Sequence, residues 1–511
     1  MPTSTQENNK RIAKNTAILY CRMFLMMVVG LFTSRVVLQV LGVSDYGIYN
    51  AVGGFVALFS LLSGTLTNSV NRFLTFELGR GDTERLKRVF CTSLNVMFIL
   101  SAIVILAGAT LGVWFLQSRM NIPAGRMEAA TWVLGCSVLT FAMNLISVPY
   151  NAAIVAHERM TAFAYISLIE ATVKLLIAYA LYIIPFDKLT AYALMYLVLA
   201  LFVRLLYGVY CKRHFSECTY TPIHDRGLLR QMTSFAGWNF LSGGASILNN
   251  AGVNVLINLY FGVTVNAARG IATQVNGHVT QFVTNFMMAV NPQITKSYAQ
   301  EDYAYMHGLI CRGAKFSFYL MLFFLIPICL ETHQILYLWL GVVPDYAVPF
   351  VQLTLVATTL NTLSGSLITG LHATGNIRNY MIVVGCVELT MFPVTYVAFK
   401  LGASPLSAYY IYLSVYFILM LLRLYLIKGL IHMKAELYVR KVYLRVFVVA
   451  LSSCILPSVV HCLQQESIVR FLSVCCASVV STAFCVSRLG LDSDERAFAV
   501  SMIKKRIHLP I

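Results

Sequence analysis

The chain has 511 residues, of which 58% are hydrophobic and 12% charged, and its mean hydropathy is +0.73. Soluble domains carry about a quarter of their residues as charges, so this composition excludes a water-soluble globular protein and points to a polytopic membrane protein. The formal charge of +17 would suggest nucleic acid in a soluble protein, but here its distribution among the loops explains it, and no nucleic-acid partner is expected.

Residues 1–14 are polar and the first apolar run outlasts a signal core, so no cleavable signal is expected. The 13 cysteines lie mostly inside apolar runs without CxxC pairs or zinc spacing. They read as small apolar fillers, and neither a metal nor another cofactor is expected.

A helix needs about 20 mostly apolar residues to cross a bilayer. In chain order the candidates are 15–41, 46–71, 89–116, 129–155, 161–184, 190–211, 232–261, 267–292, 314–340, 347–371, 380–401, 406–430, 443–463 and 468–489. Barrel strands would show short alternating segments instead, so the expected fold class is all-α with about fourteen transmembrane helices.

Basic residues gather in alternate loops: Lys10, Arg11 and Lys14; Arg72, Arg80, Arg85, Lys87 and Arg88; Lys212, Arg213, Arg226 and Arg230; Lys296, Arg312 and Lys315. Arg159, Arg378, Lys428, Lys434, Arg440, Lys441 and Arg445 fall on the same side, as do Arg488, Arg496, Lys504, Lys505 and Arg506 in the tail. The opposite loops hold only Arg119, Arg126, Lys188, Arg269, Lys400 and Arg470. The positive-inside rule then places both termini in the cytoplasm.

Thr33–Asp82 returns as Val253–Asp302. Gly42-Val43-Ser44 falls on Gly262-Val263-Thr264, Asn71 on Asn291, Asp82 on Asp302 and Cys91 on Cys311, all 220 residues apart. Further on, Glu170 meets Glu388 and Leu189-Thr190-Ala191-Tyr192 meets Leu406-Ser407-Ala408-Tyr409, with the spacing drifting only to 217. Such a pattern indicates a duplicated unit. The expected organisation is an N-terminus at 1–14, six spans at 15–211, a linker at 212–231, six spans at 232–430, two surplus spans at 431–489 and a tail at 490–511.

Several spans carry polar stripes at helical spacing. Span seven has Ser242, Ser246, Asn250, Asn254 and Asn258; span eight has Gln274, His278, Gln281 and Asn285; span four has Thr140, Asn144, Ser147 and Asn151. These faces avoid lipid, either by bonding helices together or by lining an aqueous cavity.

Charges at depth cost at least ~2.5 kcal/mol each unless paired or hydrated. The candidates are Arg22, Arg35, Glu170, Lys174, Arg204, Glu388 and Arg423. Matching depths predict two ion pairs, Glu170 with Arg204 and Glu388 with Arg423, serving as structural ties or as a coupling-ion site. Lys174, one turn after Glu170, can share its carboxylate. The surplus cations are then Arg22, Arg35 and Lys174, and a cationic cavity suits an anionic ligand. Arg22 and Arg35 are about 220° apart on a straight helix, so sharing a cavity requires a bend at Gly30; otherwise each snorkels to its nearer surface.

The stretch from Ser34 to Phe55, with Asn71–Asp82 after it, resembles the opening of the Wzx-like polysaccharide transporters. These lipid-linked oligosaccharide flippases belong to the multidrug/oligosaccharidyl-lipid/polysaccharide (MOP) exporter superfamily. The resemblance covers nearly the whole chain and implies a MATE-like fold of two alternating lobes in the bacterial inner membrane. The implied substrate is an undecaprenyl-diphosphate-linked oligosaccharide, moved outward for O-antigen or capsule synthesis, with membrane lipids and polysaccharide assembly proteins as further partners. Similar lipid II flippases carry cavity arginines, and the AARG run ending at Gly270 nominates Arg269 as one. The chain departs from them near Leu58, where no arginine stands. Gly243, Gly244, Gly252, Pro149 and Pro292 are the expected bending points.

Two rivals follow. A cation-coupled drug antiporter of the same superfamily would place acids in its cavity. A membrane polymerase or glycosyltransferase would display catalytic acids on a long external loop, whereas the external loops hold only Asp45, Glu128, Asp187 and Asp345 among scattered acids. No GxxxxGK[ST] loop is present, and His157-Glu158 is followed by Arg159 and Met160 rather than completing HExxH. No catalysis is expected.

Overall fold

The computed structural model describes residues 4–57, 59–118, 122–222, 225–492 and 495–497. Leu58, Arg119 and the tail residues Lys504, Lys505 and Arg506 lie outside the described residues.

Among the described residues every regular element is helical. In chain order these are α1 (Ser4–Ala57), α2 (Ser60–Arg80), α3 (Thr83–Ser118), α4 (Met127–Ala156), α5 (Met160–Ala180), α6 (Lys188–His214), α7 (Arg226–Ala299) and α8 (Tyr303–Leu330). There follow α9 (Thr332–Leu340), α10 (Ala347–Thr362), α11 (Gly365–Thr374), α12 (Arg378–Lys400), α13 (Ser407–Ile427), α14 (Ala435–Leu463) and α15 (Ile468–Gly490). Eleven described helices are long and apolar enough to cross a bilayer, or twelve when α10 and α11, bent by 41°, are one span. The chain is a multi-pass membrane protein. The sequence predicts fourteen spans; of the two that fall short, 46–71 is divided between the end of α1 at Ala57 and the start of α2 at Ser60, while 267–292, helical in α7, carries many polar side chains that dilute its apolar run.

The duplication is visible in the backbone. α1 breaks at Gly42 (φ 76°, ψ 170°) and α7 breaks at Gly262 (φ 82°, ψ −176°). Only glycine tolerates this region, because any Cβ would collide with its own backbone. Gly81 (φ 77°) and Glu301 (φ 60°) end the next helices in the left-handed conformation. Asp82 and Asp302 then cap α3 and α8, their carboxylates accepting from the amides of Arg85 at 2.9 Å and Tyr305 at 3.0 Å. Glu158 (φ 58°) and Gly375 (φ 76°) share a third such turn.

The expected bend at Gly30 is absent: α1 stays helical until Gly42, beyond both Arg22 and Arg35. The two arginines therefore point from different faces of one helix. α7 likewise breaks at Gly262 and not at Gly243, Gly244, Gly252 or Pro292.

The chain divides into two compact units, Met1–Gly244 with Thr295–Glu301, and Ala245–Ile294 with Asp302–Ile511. In the first, α4 packs against α1, α2, α3 and α6, with Phe90 edge-on to Tyr150 at 5.1 Å. The fully buried Glu158 carboxylate accepts from Arg11 at 2.8 Å and from Lys296 at 2.7 Å. Burial pulls the Lys296 ammonium below its ordinary pKa, against the opposing pull of Glu158. Arg126 bridges Asp45 and Asp187, and Asp187 also caps α6.

In the second unit α8 packs against α10, α11, α14 and α15. Two buried charges hold the last helices in place. Glu331 takes His461 at 2.9 Å and Arg470 at 3.0 Å, and Lys315 takes Asp492 at 3.2 Å and Glu495 at 2.8 Å. Phe447, Leu451 and Ile455 of α14 are exposed, as side chains facing hydrocarbon must be.

Replacing Gly262 by alanine should destabilise the purified protein by ~1–3 kcal/mol. Gly244→Ala, in a helical stretch with open space around its Cα, should be neutral or stabilising by up to ~1 kcal/mol. Thermal unfolding of both variants in one detergent checks the contrast, and equal effects would contradict it.

Candidate functional site

The break at Gly262 turns α7 back on itself. Arg269, on the helix after the break, reaches Asn250 on the helix before it, donating to the side-chain oxygen and the backbone carbonyl, each at 3.2 Å. Between these helices and α10, α12 and α13 lies a cavity of about 650 Å³ within the second unit. Asn249, Asn250 and Asn254 enter it from the first half of α7, and Arg269, Gln274 and Asn276 from the second. Thr273 of α7, Thr354 of α10, Thr395 of α12 and Tyr409 and Tyr412 of α13 complete the polar lining.

Arg269 is the one charged residue among those lining this cavity. Around it Asn249 Oδ1, Asn276 Oδ1 and Thr395 Oγ1 are buried with no partner among the described residues. Buried oxygens left this way cost free energy until a donor arrives, and three such acceptors beside a guanidinium suit a ligand with hydroxyls and an anionic group.

Close to the cavity lies a buried charge network. Arg423 donates to Glu388 at 3.1 Å and also to Asn361, while Ser246 donates to Glu388. Tyr416 lies 6.0 Å from the Arg423 guanidinium and 4.5 Å from the ring of Tyr412, which lines the cavity. Ionised groups at this depth persist when they are paired and hydrogen-bonded in this way.

The expected site residues separate. Asn250, Asn254, Gln274 and Arg269 meet in the cavity. Asn258, His278 and Gln281 are exposed outside it, and Asn285 is buried with its Nδ2 unpartnered among the described residues. Asn144 and Thr140 line a smaller cavity of the first unit, about 250 Å³. The surplus cations Arg22, Arg35 and Lys174 line neither cavity. Arg22 sits over the Phe163 ring at 4.3 Å, and Arg35 is exposed with no ion-pair partner among the described residues.

The expected Glu170–Arg204 pair is replaced. Glu170 binds Lys174 at 2.6 Å, one turn along the same helix, and Arg204 stacks on Tyr150 at 4.0 Å. The local partner wins because the (i, i+4) geometry needs no reach between helices. Asn249, Asn276, Thr395 and the two tyrosines were missed. A search for stripes of one helical phase passes over Asn249 and Asn276, which stand beside the striped positions and enter the cavity because it is walled on several sides.

No family model and no curated protein matches the sequence. The fold matches solved MATE transporters. A MATE structure in the straight conformation superposes with a TM-score of 0.71 at 14% identity, over 84% of this chain and 99% of that one. An outward-facing multidrug resistance MATE family transporter of the MOP superfamily gives 0.69 at 13% identity, over 84% and 98%. A MOP superfamily transporter from Pyrococcus furiosus, described as having a binding pocket of reverse polarity that suggests a different function, gives 0.66 at 14% identity, over 84% and 99%. At this identity the likeness establishes the fold alone: the chain has the fold of the MATE transporters.

Truncating Glu388 to alanine should cost ~3–5 kcal/mol, because Arg423 is left buried and uncompensated. Glu170→Gln, which breaks a half-exposed local pair, should cost no more than ~0.5 kcal/mol. Thermal unfolding of the two purified variants tests this ranking.

Proposed function

We propose that the chain is a transporter for an anionic, hydroxyl-rich lipid-linked substrate. In the most specific form it is a flippase that moves undecaprenyl-diphosphate-linked oligosaccharide from the cytoplasmic to the periplasmic leaflet of the bacterial inner membrane, by alternating access, for O-antigen or capsule synthesis. The observation that carries this reading is the pairing of a single guanidinium, Arg269, with unpartnered oxygens in a cavity that no carboxylate lines. A diphosphate takes the guanidinium fork, and sugar hydroxyls donate to the asparagine and threonine oxygens.

A second reading, a cation-coupled antiporter, is favoured by the multidrug MATE neighbours and by the buried Glu388 next to the cavity. The lone lining cation disfavours a cationic drug there, since like charges repel in a low-dielectric site.

In cells that rely on this protein for surface polysaccharide, Arg269→Ala should lower export about ten-fold or more at unchanged membrane abundance, as expected for losing a charge-assisted hydrogen bond. Arg269→Lys should restore only part, because lysine keeps the charge and loses the fork. Normal export in both variants, with proton-dependent efflux of cationic dyes abolished by Glu388→Gln, would transfer the case to the antiporter.

A further inference from the structure

The smaller cavity, in the first unit, occupies the same place in the duplicated unit as the larger one in the second. Tyr49 of its lining stands 220 residues before Arg269, Gly53 before Thr273 and Val56 before Asn276, while Ser137 stands 217 before Thr354. The chemistry has diverged at this shared position. Where one cavity has a guanidinium, the other has a tyrosine, and none of its lining residues is charged.

Tyr49 and Tyr196 line the small cavity, with Tyr192 buried behind them at 4% exposure. The ring centroids lie 4.9 Å apart for Tyr49 and Tyr192, 4.6 Å for Tyr192 and Tyr196, and 6.4 Å for Tyr49 and Tyr196. This packing holds the lining rings in fixed orientations, offering a rigid aromatic wall at little entropic cost. Ser137, Thr140 and Asn144 come from one face of α4, at steps of three and four residues.

Among the described residues those three side chains have no hydrogen-bond partner, whereas Ser147, further along the same helix, donates back to the Met143 carbonyl at 2.8 Å. Two hydroxyls and an amide are thus open to a ligand, opposite aromatic rings. Lys174 lies 5.9 Å from the Tyr196 ring, but its charge is neutralised by Glu170 at 2.6 Å.

We infer that the first-unit cavity is a saccharide subsite that takes one uncharged sugar ring. The sugar's apolar C–H face lies on the tyrosine wall, whose ring faces carry partial negative charge, and its hydroxyls bond Ser137, Thr140 and Asn144. A volume of about 250 Å³ lies below the ~300 Å³ at which drug-sized pockets begin, and so suits a single ring. Without a lining cation the cavity offers nothing to a phosphate, and without a lining carboxylate it lacks a counter-charge for a cationic drug. This assignment rests on the flippase reading for its substrate, and it adds a second place where a sugar ring is recognised, in a cavity that does not hold the anion.

The test uses the full-length protein in lipid nanodiscs, titrated over the millimolar range with N-acetylglucosamine, glucose, glucuronate or choline and followed by saturation-transfer NMR. The neutral sugars should bind. Tyr196→Ala and Asn144→Ala should each weaken that binding about ten-fold or more, and Tyr196→Phe should retain it. Thermal unfolding of each variant confirms a folded protein.

Absence of neutral-sugar binding to the wild type, binding unaffected by Tyr196→Ala and Asn144→Ala, or binding of choline alone would overturn the assignment. The flippase reading fails separately. Export indifferent to Arg269 removes that reading while sugar binding stands, and sugar binding that fails while export still depends on Arg269 removes only the subsite.

Discussion

At Gly262 a 74-residue helical segment reverses through one residue with φ 82° and ψ −176°, and the larger cavity depends on that reversal. In hydrocarbon a break in a helix frees backbone groups that only neighbouring protein can satisfy, so breaks are tolerated where helices already surround a polar space. The reversal brings Arg269 to Asn250 and sets polar stripes from both halves of α7 around one volume. Gly42 makes the same turn in the first unit, where the second arm carries Tyr49 in place of the arginine. One backbone device thus builds two cavities, and the side chain at one repeat position decides their electrostatic character.

Buried charge elsewhere is paired. Glu158 is shared by Arg11 and Lys296, Glu331 by His461 and Arg470, Lys315 by Asp492 and Glu495, and Glu388 by Arg423. Each cluster ties distant parts of the chain within one unit. In a low-dielectric surrounding a carboxylate with two donors is tolerated and one with none is not. Arg269, by contrast, donates to neutral oxygens of Asn250, and it retains a net charge for an incoming anion.

Glu170 and Glu388 show why repeat symmetry in sequence need not persist in side-chain contacts. Both occupy the same repeat position, yet Glu388 reaches across to Arg423 while Glu170 turns to Lys174. The difference traces to one residue: four positions after Glu388 stands Phe392, so no local cation competes. Arg204, deprived of the carboxylate, rests on the face of Tyr150 instead, a cation–π contact that holds the charge without a counter-ion.

Hydropathy and the 220-residue spacing determined the helical class, the positions of most spans and the duplicated unit, because these follow from local periodicity. The stripes in α4 and α7 were legible for the same reason, as helical spacing places their members on one face. Tertiary structure alone decided which of those faces met across a cavity, which cations were spent on partners, and that Arg269 rather than Arg22 or Arg35 entered one. A helix of 3.6 residues per turn fixes the direction of each side chain around its own axis, and only the packing of other helices determines what lies in that direction.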